Sequence, residues 1–298
     1  MRPFKHVLCP VDFSDFSRRA LILARGIAHD FQAELTVYHV VDTAVLSLGN
    51  TLPLQDVYST RHRRAEEAMA SLKSMLELAR SRTEVVNGIP HRMIASKAKE
   101  SGADLVVMGT HGASGFEKLF LGSVTEKVLH QIEAPLLTVT RPTGSTLPDA
   151  ERGEAVRFRT IMMAVDFEPG AVATAEHALA LARRYGAKIL ALHVYPQPST
   201  FYATAAATRV MDEDRVRSGR QLELEKLVPA SIRDTVPTEF LTLKGDPFEV
   251  IDRVARERGV DLVVMGARSH GVMGWLGCTT HKVIRAGACP VLAVRKGP

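Results

Sequence analysis

The chain has 298 residues, 46% of them hydrophobic and 24% charged, which suggests two folded domains rather than a disordered protein. Lysine and arginine exceed aspartate and glutamate by only five charges, and aromatic residues make up 6%, so the basic, aromatic-rich surface of a nucleic-acid-binding protein is not expected. No apolar run approaches the roughly 18 residues of a membrane-spanning helix, which argues against an integral membrane protein.

The start of the chain and its cysteines predict a cytoplasmic location. Residues 1–6 lead directly into a strand-like run, without the apolar stretch of a signal peptide. Cys9, Cys278 and Cys289 are odd in number and lack the spacing of a zinc site. They therefore indicate neither a disulfide framework nor a cysteine-rich metal site.

Strands and helices alternate along the first half of the chain. Apolar runs predict strands at 6–11, 35–41, 83–86, 105–108 and 135–139. Apolar residues at helical spacing predict a helix that Ser14 caps and that reaches Phe31, then helices at 63–79, 94–100 and 123–132, with a polar irregular stretch before 63. Because uniformly apolar strands alternate with helices, a parallel sheet covered on both faces is expected.

The second half of the chain repeats the first. The segment Asp-Leu-Val-Val-Met-Gly at 104–109 recurs unchanged at 261–266, and Val-Asp-Phe at 11–13 recurs at 165–167. Further matches follow in the same order, among them Gly-Ile-Pro at 88–90 with Gly-Asp-Pro at 245–247. The repeat predicts a domain at 1–142, a linker rich in proline, glycine and charge at 143–156, and a second domain at 157–298.

The last strand of each copy begins with a proline, Pro135 in the first copy and Pro290 in the second. Proline is tolerated at a sheet edge or at the start of a strand, so both closing strands are expected at sheet edges. Two such edges in one chain can pair with each other, which would make the chain a pseudo-dimer. Association of two chains into a homodimer stays open beside that pairing.

The most informative stretch follows the fourth strand, where Gly109, Gly112 and Gly122 lie close together. Glycine lets the backbone approach a ligand closely, so that N–H groups can surround an anion. Gly122 and Ser123 then open a helix, whose positive dipole end favours phosphate. An alternative is that Ser123 and Glu126 form a capping box and the glycines only build a loop. The Gly-Lys-Ser/Thr ending of a P-loop is absent from the sequence.

Three motifs resemble the universal stress protein family in its tandem two-domain form. They are Pro-Val-Asp-Phe-Ser at 10–14, the pair His39-Val40, and Gly-x-x-Gly-x9-Gly-Ser from Gly109 to Ser123. The resemblance implies an α/β fold with two tandem open parallel-sheet domains of five strands each, Rossmann-like and of the adenine-nucleotide alpha-hydrolase type. It also implies ATP bound across the strand ends, with Mg²⁺ bridging the phosphates, and a role in stress response or regulation.

The same resemblance implies a set of nucleotide-binding residues. In the adenosine part of the site, it places Asp12 on the ribose, Pro10, Val11 and Val40 around the adenine, and Met108 and Gly109 beside the ribose and phosphates. It gives the phosphates to the backbone N–H groups and the serine hydroxyl of Gly112, Gly122, Ser123 and Val124. No catalytic residue and no separate set of metal ligands is predicted.

Several of these residues have a structural alternative. Asp12 is also placed to cap the helix that follows it. His111 in the glycine-rich stretch would either contact phosphate or face solvent. His39 and His193 are interpreted as packed or surface histidines rather than as catalysts.

Two other functions stay open besides the binding of an adenine nucleotide. One is a slow ATPase, or another adenosine-phosphate hydrolase, that uses the same pocket with a metal-activated water. The other is a scaffold that keeps the fold without a nucleotide. No nucleophile–base constellation supports an enzyme, so the sequence favours a binding protein.

The second copy departs from the family pattern at its phosphate loop. Asp166, Val194, Met265 and Gly266 retain the adenosine end, although Ala164 replaces the proline. The interval from Gly271 to Gly277 is four residues shorter than that from Gly112 to Gly122, and Cys278 stands in the position of Ser123. The shorter loop is expected to misplace the helix that follows, and cysteine bonds phosphate more weakly than serine. The first copy is therefore predicted to be the better nucleotide site.

Overall fold

A computed structural model of the chain describes residues 4–43, 54–75, 81–111, 121–140, 156–195, 213–267, 269–270, 275–276 and 278–295. The chain divides into two compact units, Met1–Val156 and Arg157–Pro298. Of the predicted linker at 143–156, only Val156 belongs to the described residues.

The described part of the first unit is a five-stranded parallel sheet with helices between the strands. Its elements are β1 (His6–Pro10), α1 (Asp15–Phe31), β2 (Glu34–Asp42), α2 (Leu54–Met75), β3 (Ser81–Gly88), α3 (Pro90–Glu100), β4 (Leu105–Gly109), α4 (Ser123–Gln131) and β5 (Leu136–Val139). The strands lie in the order β3-β2-β1-β4-β5, and each pair is parallel. The order therefore reverses between β1 and β4.

The second unit repeats this topology. Its elements are β6 (Thr160–Val165), α5 (Ala171–Tyr185), β7 (Lys188–Tyr195), α6 (Glu213–Lys226), α7 (Ala230–Arg233), β8 (Thr238–Lys244), α8 (Pro247–Glu257), β9 (Leu262–Gly266), β10 (Ser269–His270), β11 (Trp275–Leu276), α9 (Cys278–Ala286) and β12 (Val291–Val294). Five parallel strands lie in the order β12-β9-β6-β7-β8, and β10 pairs antiparallel with β11. The predicted fold class, two parallel-sheet domains of the Rossmann-like type, is confirmed.

The central strands are apolar because both faces of each sheet are covered. In the first unit, all five residues of β4 are buried, as are residues 7–10 of β1. In the second unit, all six residues of β6 are buried. This burial removes apolar surface from water on both sides of the sheet, which is the main stabilising contribution to such a domain. None of the described helices is long and apolar enough to cross a membrane.

Helix α2 begins at Leu54, earlier than the predicted start near residue 63. The half-buried Tyr58 and His62 continue the buried stripe of Ala65 and Met69 back toward the N-terminus at helical spacing. Both side chains are amphipathic, so the stretch appears polar in the sequence although it has one inward face. The predicted end of this helix at residue 79 lies outside the described residues.

A carboxylate ties two strand starts together in each unit. The Asp104 carboxylate accepts the backbone N–H groups of Lys5 at 2.8 Å and His6 at 3.1 Å. Asp261 in the second unit likewise accepts the N–H groups of Arg159, at 2.6 Å, and of the residue after it, at 2.9 Å. These bonds join the start of β4 to β1, and the start of β9 to β6. They lie at the amino ends of the strands, opposite the carboxyl ends.

Asp104→Ala is expected to lower the free energy of unfolding by about 1–3 kcal/mol, because it leaves two backbone donors without their charged acceptor. Asp104→Asn keeps one acceptor oxygen and is expected to lose less. Asp261→Ala should produce a similar loss, which makes it the matched comparison. Urea unfolding at constant pH measures all three. A change below about 0.5 kcal/mol for Asp104→Ala would be no more than an ordinary surface substitution produces, and would contradict this role.

Candidate functional site

A cavity of about 280 Å³ opens at the carboxyl ends of the strands in the first unit. Pro10 ends β1 and Gly109 ends β4, and both residues line this cavity. Ligands of open parallel sheets bind where the strand order reverses, which here is between these two strands. The volume is near the lower limit of pockets that hold small molecules.

The cavity brings together nine of the ten residues that the sequence singles out. They are Pro10, Val11, Asp12, Val40, Met108, Gly109, Gly122, Ser123 and Val124. The tenth, Gly112, lies outside the described residues. His111, for which the sequence left a phosphate contact open, also lines the cavity, with its ring centroid 5.0 Å from that of Phe16.

Other lining residues were missed by the sequence analysis. They are Ser17, Tyr38, Asp42, Pro90, Ile94 and Thr125. The strand period of two puts Tyr38 and Asp42 on the same face as Val40, which is a signal that the sequence does contain. Pro90 and Ile94 lie one helical turn apart at the start of α3. Their presence at the cavity follows only from the position of α3 in the folded domain.

The turn from β1 to α1 carries a network of short polar side chains. Ser14 is the N-cap of α1, and its Oγ accepts the N–H of Ser17 at 3.2 Å. The Oδ1 atom of Asp12 accepts the N–H of Ser14 at 3.1 Å and its hydroxyl at 2.5 Å. Ser14, rather than Asp12, therefore caps the helix. Asp12 is exposed on the cavity wall and braces the cap from outside.

A histidine lies beneath the same turn. The Nδ1 atom of His39 lies 2.7 Å from the carbonyl oxygen of Val11. Because a carbonyl oxygen only accepts, Nδ1 carries the proton and donates it. The imidazole also packs on Phe13, with ring centroids 4.4 Å apart. The pKa of His39 is lowered, because the effect of burial exceeds the opposing effects of the bond to Val11 and the nearby Asp12.

The opposite end of the cavity is the start of α4. Its N-cap is Gly122, which makes no side-chain capping bond, so the alternative of a capping box formed by Ser123 and Glu126 is wrong. Ser123 is already the first helical residue because Gly122 is the last extended one, with ψ at 134°. Glu126 donates its N–H to the Gly122 carbonyl at 2.9 Å. The amides before it lie in the first turn, where a helix offers them no acceptor of its own.

Two hydrogen bonds fix the start of α4 against β4. The hydroxyl of Thr125 donates to the carbonyl of Gly109 at 2.8 Å, and the N–H of Gly122 donates to the carbonyl of Thr110 at 2.7 Å. The first-turn amides are thereby held beside the end of β4.

The polar groups around the cavity are ordered along the sheet. Asp42 ends β2, Asp12 follows β1, and the start of α4 lies against the end of β4. Neighbouring strands are about 4.8 Å apart, so this order runs from carboxylates to a positive helix end over about two strand spacings. A fitting ligand donates hydrogen bonds at one end and carries negative charge at the other. Among the described residues, no group of three or more histidine, cysteine, aspartate or glutamate side chains is placed to hold a metal ion.

The second unit shares part of this arrangement. Asp166 accepts the N–H of Glu168 at 3.2 Å, as Asp12 accepts that of Ser14. The hydroxyl of Thr280 donates to the carbonyl of Gly266 at 2.8 Å, as Thr125 does to Gly109. The start of α9 is thus anchored as in the first unit, so the expectation that the shorter loop misplaces this helix is wrong. The anchor is on the strand, and the loop length does not move it.

The two units differ at another helix start. The N-cap of α8 is Asp246, whose carboxylate accepts the N–H of Glu249 at 3.1 Å. The corresponding N-cap of α3 is Ile89, which makes no side-chain capping bond. Since Pro90 at the start of α3 lines the cavity, the second unit carries a carboxylate where the first has an aliphatic side chain.

Comparison with known proteins gives consistent matches along the whole chain. The family model of the Universal stress protein family matches residues 3–140 and again residues 157–295. Universal stress protein MJ0531 of Methanocaldococcus jannaschii is 34% identical over 142 residues, which cover 47% of this chain and 84% of that protein. Universal stress protein YxiE of Bacillus subtilis is 33% identical over 146 residues, covering 46% and 99%. The crystal structure of a universal stress protein from Archaeoglobus fulgidus shares the fold, with a TM-score of 0.70, 23% identity, and coverage of 98% of this chain and 96% of its own.

Proposed function

Since the chain belongs to the universal stress protein family and carries the family's domain twice, we propose that its first domain binds ATP in the cavity between β1 and β4. The protein would act in the cytoplasm as a nucleotide-binding component of a stress response. The observation that carries this proposal is the polarity of the cavity, with carboxylates at one end and the bare start of a helix at the other.

The phosphate end of the proposed site is the first turn of α4. Gly122, Ser123 and Val124 line the cavity there. The N–H of Gly122 already donates to Thr110, so Ser123 and Val124 supply the amides for phosphate, and Gly122 has no side chain to cover them. Backbone N–H groups at a helix start bind phosphate because they lack intrahelical acceptors and the helix dipole is positive there. The Ser123 side chain is exposed and adds a hydroxyl donor. Any Mg²⁺ that enters with ATP would be carried on the phosphates.

The ribose would lie over the end of β1. Asp12 is exposed there, one strand away from β4, and its carboxylate is an acceptor for ribose hydroxyls. Because its carboxylate is negative, Asp12 favours a neutral hydrogen-bond donor beside it and disfavours a further phosphate there. Asp12 therefore favours a ligand in which a sugar separates the phosphates from the rest of the molecule.

The base would lie beyond the ribose, toward β2 and α3. Val40 on β2 and Pro90 and Ile94 on α3 give this end of the cavity an apolar wall. A flat aromatic base buries its faces well against such side chains. Asp42 and the backbone at the end of β2 provide polar groups at the rim. This end of the cavity therefore suits adenine, which has both an apolar face and a polar edge.

Asp12→Ala is expected to weaken ATP binding by about tenfold to a hundredfold, because a charged acceptor for the ribose is lost. Binding of inorganic tripolyphosphate, which has no ribose, should change by less than about twofold. Calorimetric titration of the full chain measures both. Asp166→Ala, the same change in the second domain, is the control and should leave the high-affinity site unchanged. Equal weakening for both ligands would assign Asp12 to bracing the Ser14 cap alone.

Two further measurements separate this function from its alternatives. Mass spectrometry of the freshly purified and then unfolded protein should detect an adenine nucleotide, whereas a scaffold without a ligand releases none. Steady ADP release that stops in Gly122→Val would identify an ATPase instead of a binding protein.

A further inference from the structure

The turn after the first strand has an unfavourable backbone conformation in both domains. Phe13 has a φ of 64° and Phe167 a φ of 59°. A bulky residue in this left-handed region is disfavoured because its Cβ crowds the following carbonyl. Such a conformation persists only where the surrounding structure determines it, and such sites concentrate around ligands. Its recurrence in two copies that have diverged elsewhere indicates that the turn is maintained.

In each domain, the histidine near the end of the second strand stabilises the unfavourable backbone conformation of this turn. His39 donates from Nδ1 to the Val11 carbonyl at 2.7 Å, and His193 donates to the Val165 carbonyl at 2.9 Å. The two imidazoles pack on their phenylalanines at centroid distances of 4.4 and 4.3 Å, both tilted by 36°. The arrangement is therefore the same in the two copies, in hydrogen bond, ring contact and backbone conformation.

The hydrogen bond to Val11 and the ring contact with Phe13 restrain Asp12, which lies between these two residues. The N–H of Val11 donates to the Tyr38 carbonyl at 2.8 Å, and its carbonyl accepts from His39. Phe13 is held by the same imidazole. Asp12 lies between Val11 and Phe13, so both of its neighbours are attached to β2 through consecutive residues of that strand. His39 thus contacts the residue on each side of Asp12, in addition to the Ser17 hydroxyl that accepts the N–H of Asp12 at 3.3 Å.

We propose that His39 is a positioning residue for the nucleotide site: its bond to Val11 and its contact with Phe13 hold the Asp12 carboxylate where it meets the ribose. This inference rests on the proposed function of the first domain. His39 is not among the residues that line the cavity, and the sequence alone indicates only a packed or surface histidine. Its effect is confined to the ribose end of the cavity, because the start of α4 is fixed separately by β4.

The test compares two variants of His39 in the full chain. His39→Leu keeps an apolar side chain against Phe13 but has no donor, and ATP affinity is expected to fall at least tenfold. His39→Asn places an amide N–H at the same number of bonds from the backbone as Nδ1, and it is expected to restore ATP affinity to within about threefold of the original. Tripolyphosphate affinity should stay within about twofold in both variants. His193→Leu is the matched control and should leave the high-affinity site unchanged.

A double-mutant cycle identifies Asp12 as the residue through which His39 acts. In the Asp12→Ala background, His39→Leu is expected to weaken ATP binding by less than about twofold, because the group that it positions is already gone. Fully additive losses, or equal losses of ATP and tripolyphosphate affinity, would overturn the inference and assign His39 to general stability. If His39→Leu does not fold, the test rests on His39→Asn. Loss in that variant of the preference for ATP over tripolyphosphate would overturn the inference.

These outcomes are distinct from failure of the proposed function. A chain that binds ATP with unchanged affinity after His39→Leu overturns the positioning role and leaves the nucleotide site standing. A chain that binds no adenine nucleotide before any substitution overturns both. Thermal unfolding of each variant without nucleotide verifies that the compared proteins are folded.

Discussion

Gly109→Ala is expected to destabilise the first domain by about 3 kcal/mol, whereas the same change at Gly266 in the second domain is expected to have almost no effect. A Cβ atom added at Gly109 would lie 2.8 Å from the Cβ of Phe16, 2.9 Å from its carbonyl carbon and 3.0 Å from its carbonyl oxygen. Two of these atoms belong to the backbone of α1 and cannot rotate away. The helix would have to move off β4, and overpacking of this kind costs about 1–3 kcal/mol or more.

Gly266 occupies the corresponding strand end without this close contact. The nearest atom to a Cβ added there is Thr174 Oγ1, at 3.8 Å, which is an ordinary van der Waals distance. Gly266→Ala should therefore change the free energy of unfolding by less than about 0.5 kcal/mol.

Urea unfolding of the full chain separates the two effects. The single tryptophan, Trp275, belongs to the second domain, so its fluorescence follows that domain, while far-ultraviolet circular dichroism follows both. Gly109→Ala should shift the dichroism transition and leave the fluorescence transition in place. A loss of similar size in both variants would contradict the close approach of α1 and β4 as the cause.

Gly122→Val is expected to weaken ATP binding by on the order of a hundredfold while leaving the fold intact. The backbone at Gly122 has φ at −57° and ψ at 134°, which any residue adopts, so valine brings no backbone strain. Its branched side chain would instead cover the first-turn amides that are proposed to bind phosphate. Tripolyphosphate affinity should fall by about as much as ATP affinity, in contrast to Asp12→Ala.

The same titrations rank the two domains. The first domain is expected to provide the one tight site of the chain, because the second has Cys278 in place of Ser123 and the carboxylate of Asp246 at the start of α8. The Asp246 carboxylate adds a negative charge at the start of α8, the counterpart of the helix that lines the cavity of the first unit, and a thiol is a weaker donor than a hydroxyl. Gly277→Val is the matched control and should leave the tight site intact. Two sites of equal affinity, or a tight site that survives Gly122→Val, would refute the ranking.

The fold could be predicted from the sequence because its strands are apolar throughout and because the domain occurs twice. Helix starts were harder to predict, since they depend on contacts with other elements. The start of α2 was missed because Tyr58 and His62 face inward with polar atoms attached. The N-cap of α4 was placed one residue late, since Gly122 and Ser123 are both acceptable caps and only the backbone conformation distinguishes them.

The predicted site residues lie in sequence motifs, whereas contacts between distant parts of the chain could not be predicted from such motifs. Asp104 stands in the most conspicuous repeated segment, yet its bonds to Lys5 and His6 follow only once β1 and β4 are known to be neighbours. Pro90 and Ile94 likewise reach the cavity through the position of α3. Motifs of consecutive residues thus indicated the site, while long-range packing supplied the rest of its wall.

The threonine anchor between helix and strand has a consequence for how such domains diversify. Thr125 on α4 and Thr280 on α9 attach each helix start to its strand, at Gly109 and Gly266 respectively. The chain between strand and helix can therefore gain or lose residues without displacing the helix, as the two-residue difference between Gly109–Ser123 and Gly266–Cys278 illustrates. After a gene duplication, one copy can accumulate insertions and deletions in its ligand-facing loop while the rest of the domain keeps its fold. Loop grafting between the two copies, with the threonines kept, is accordingly a practical route to altered ligand preference.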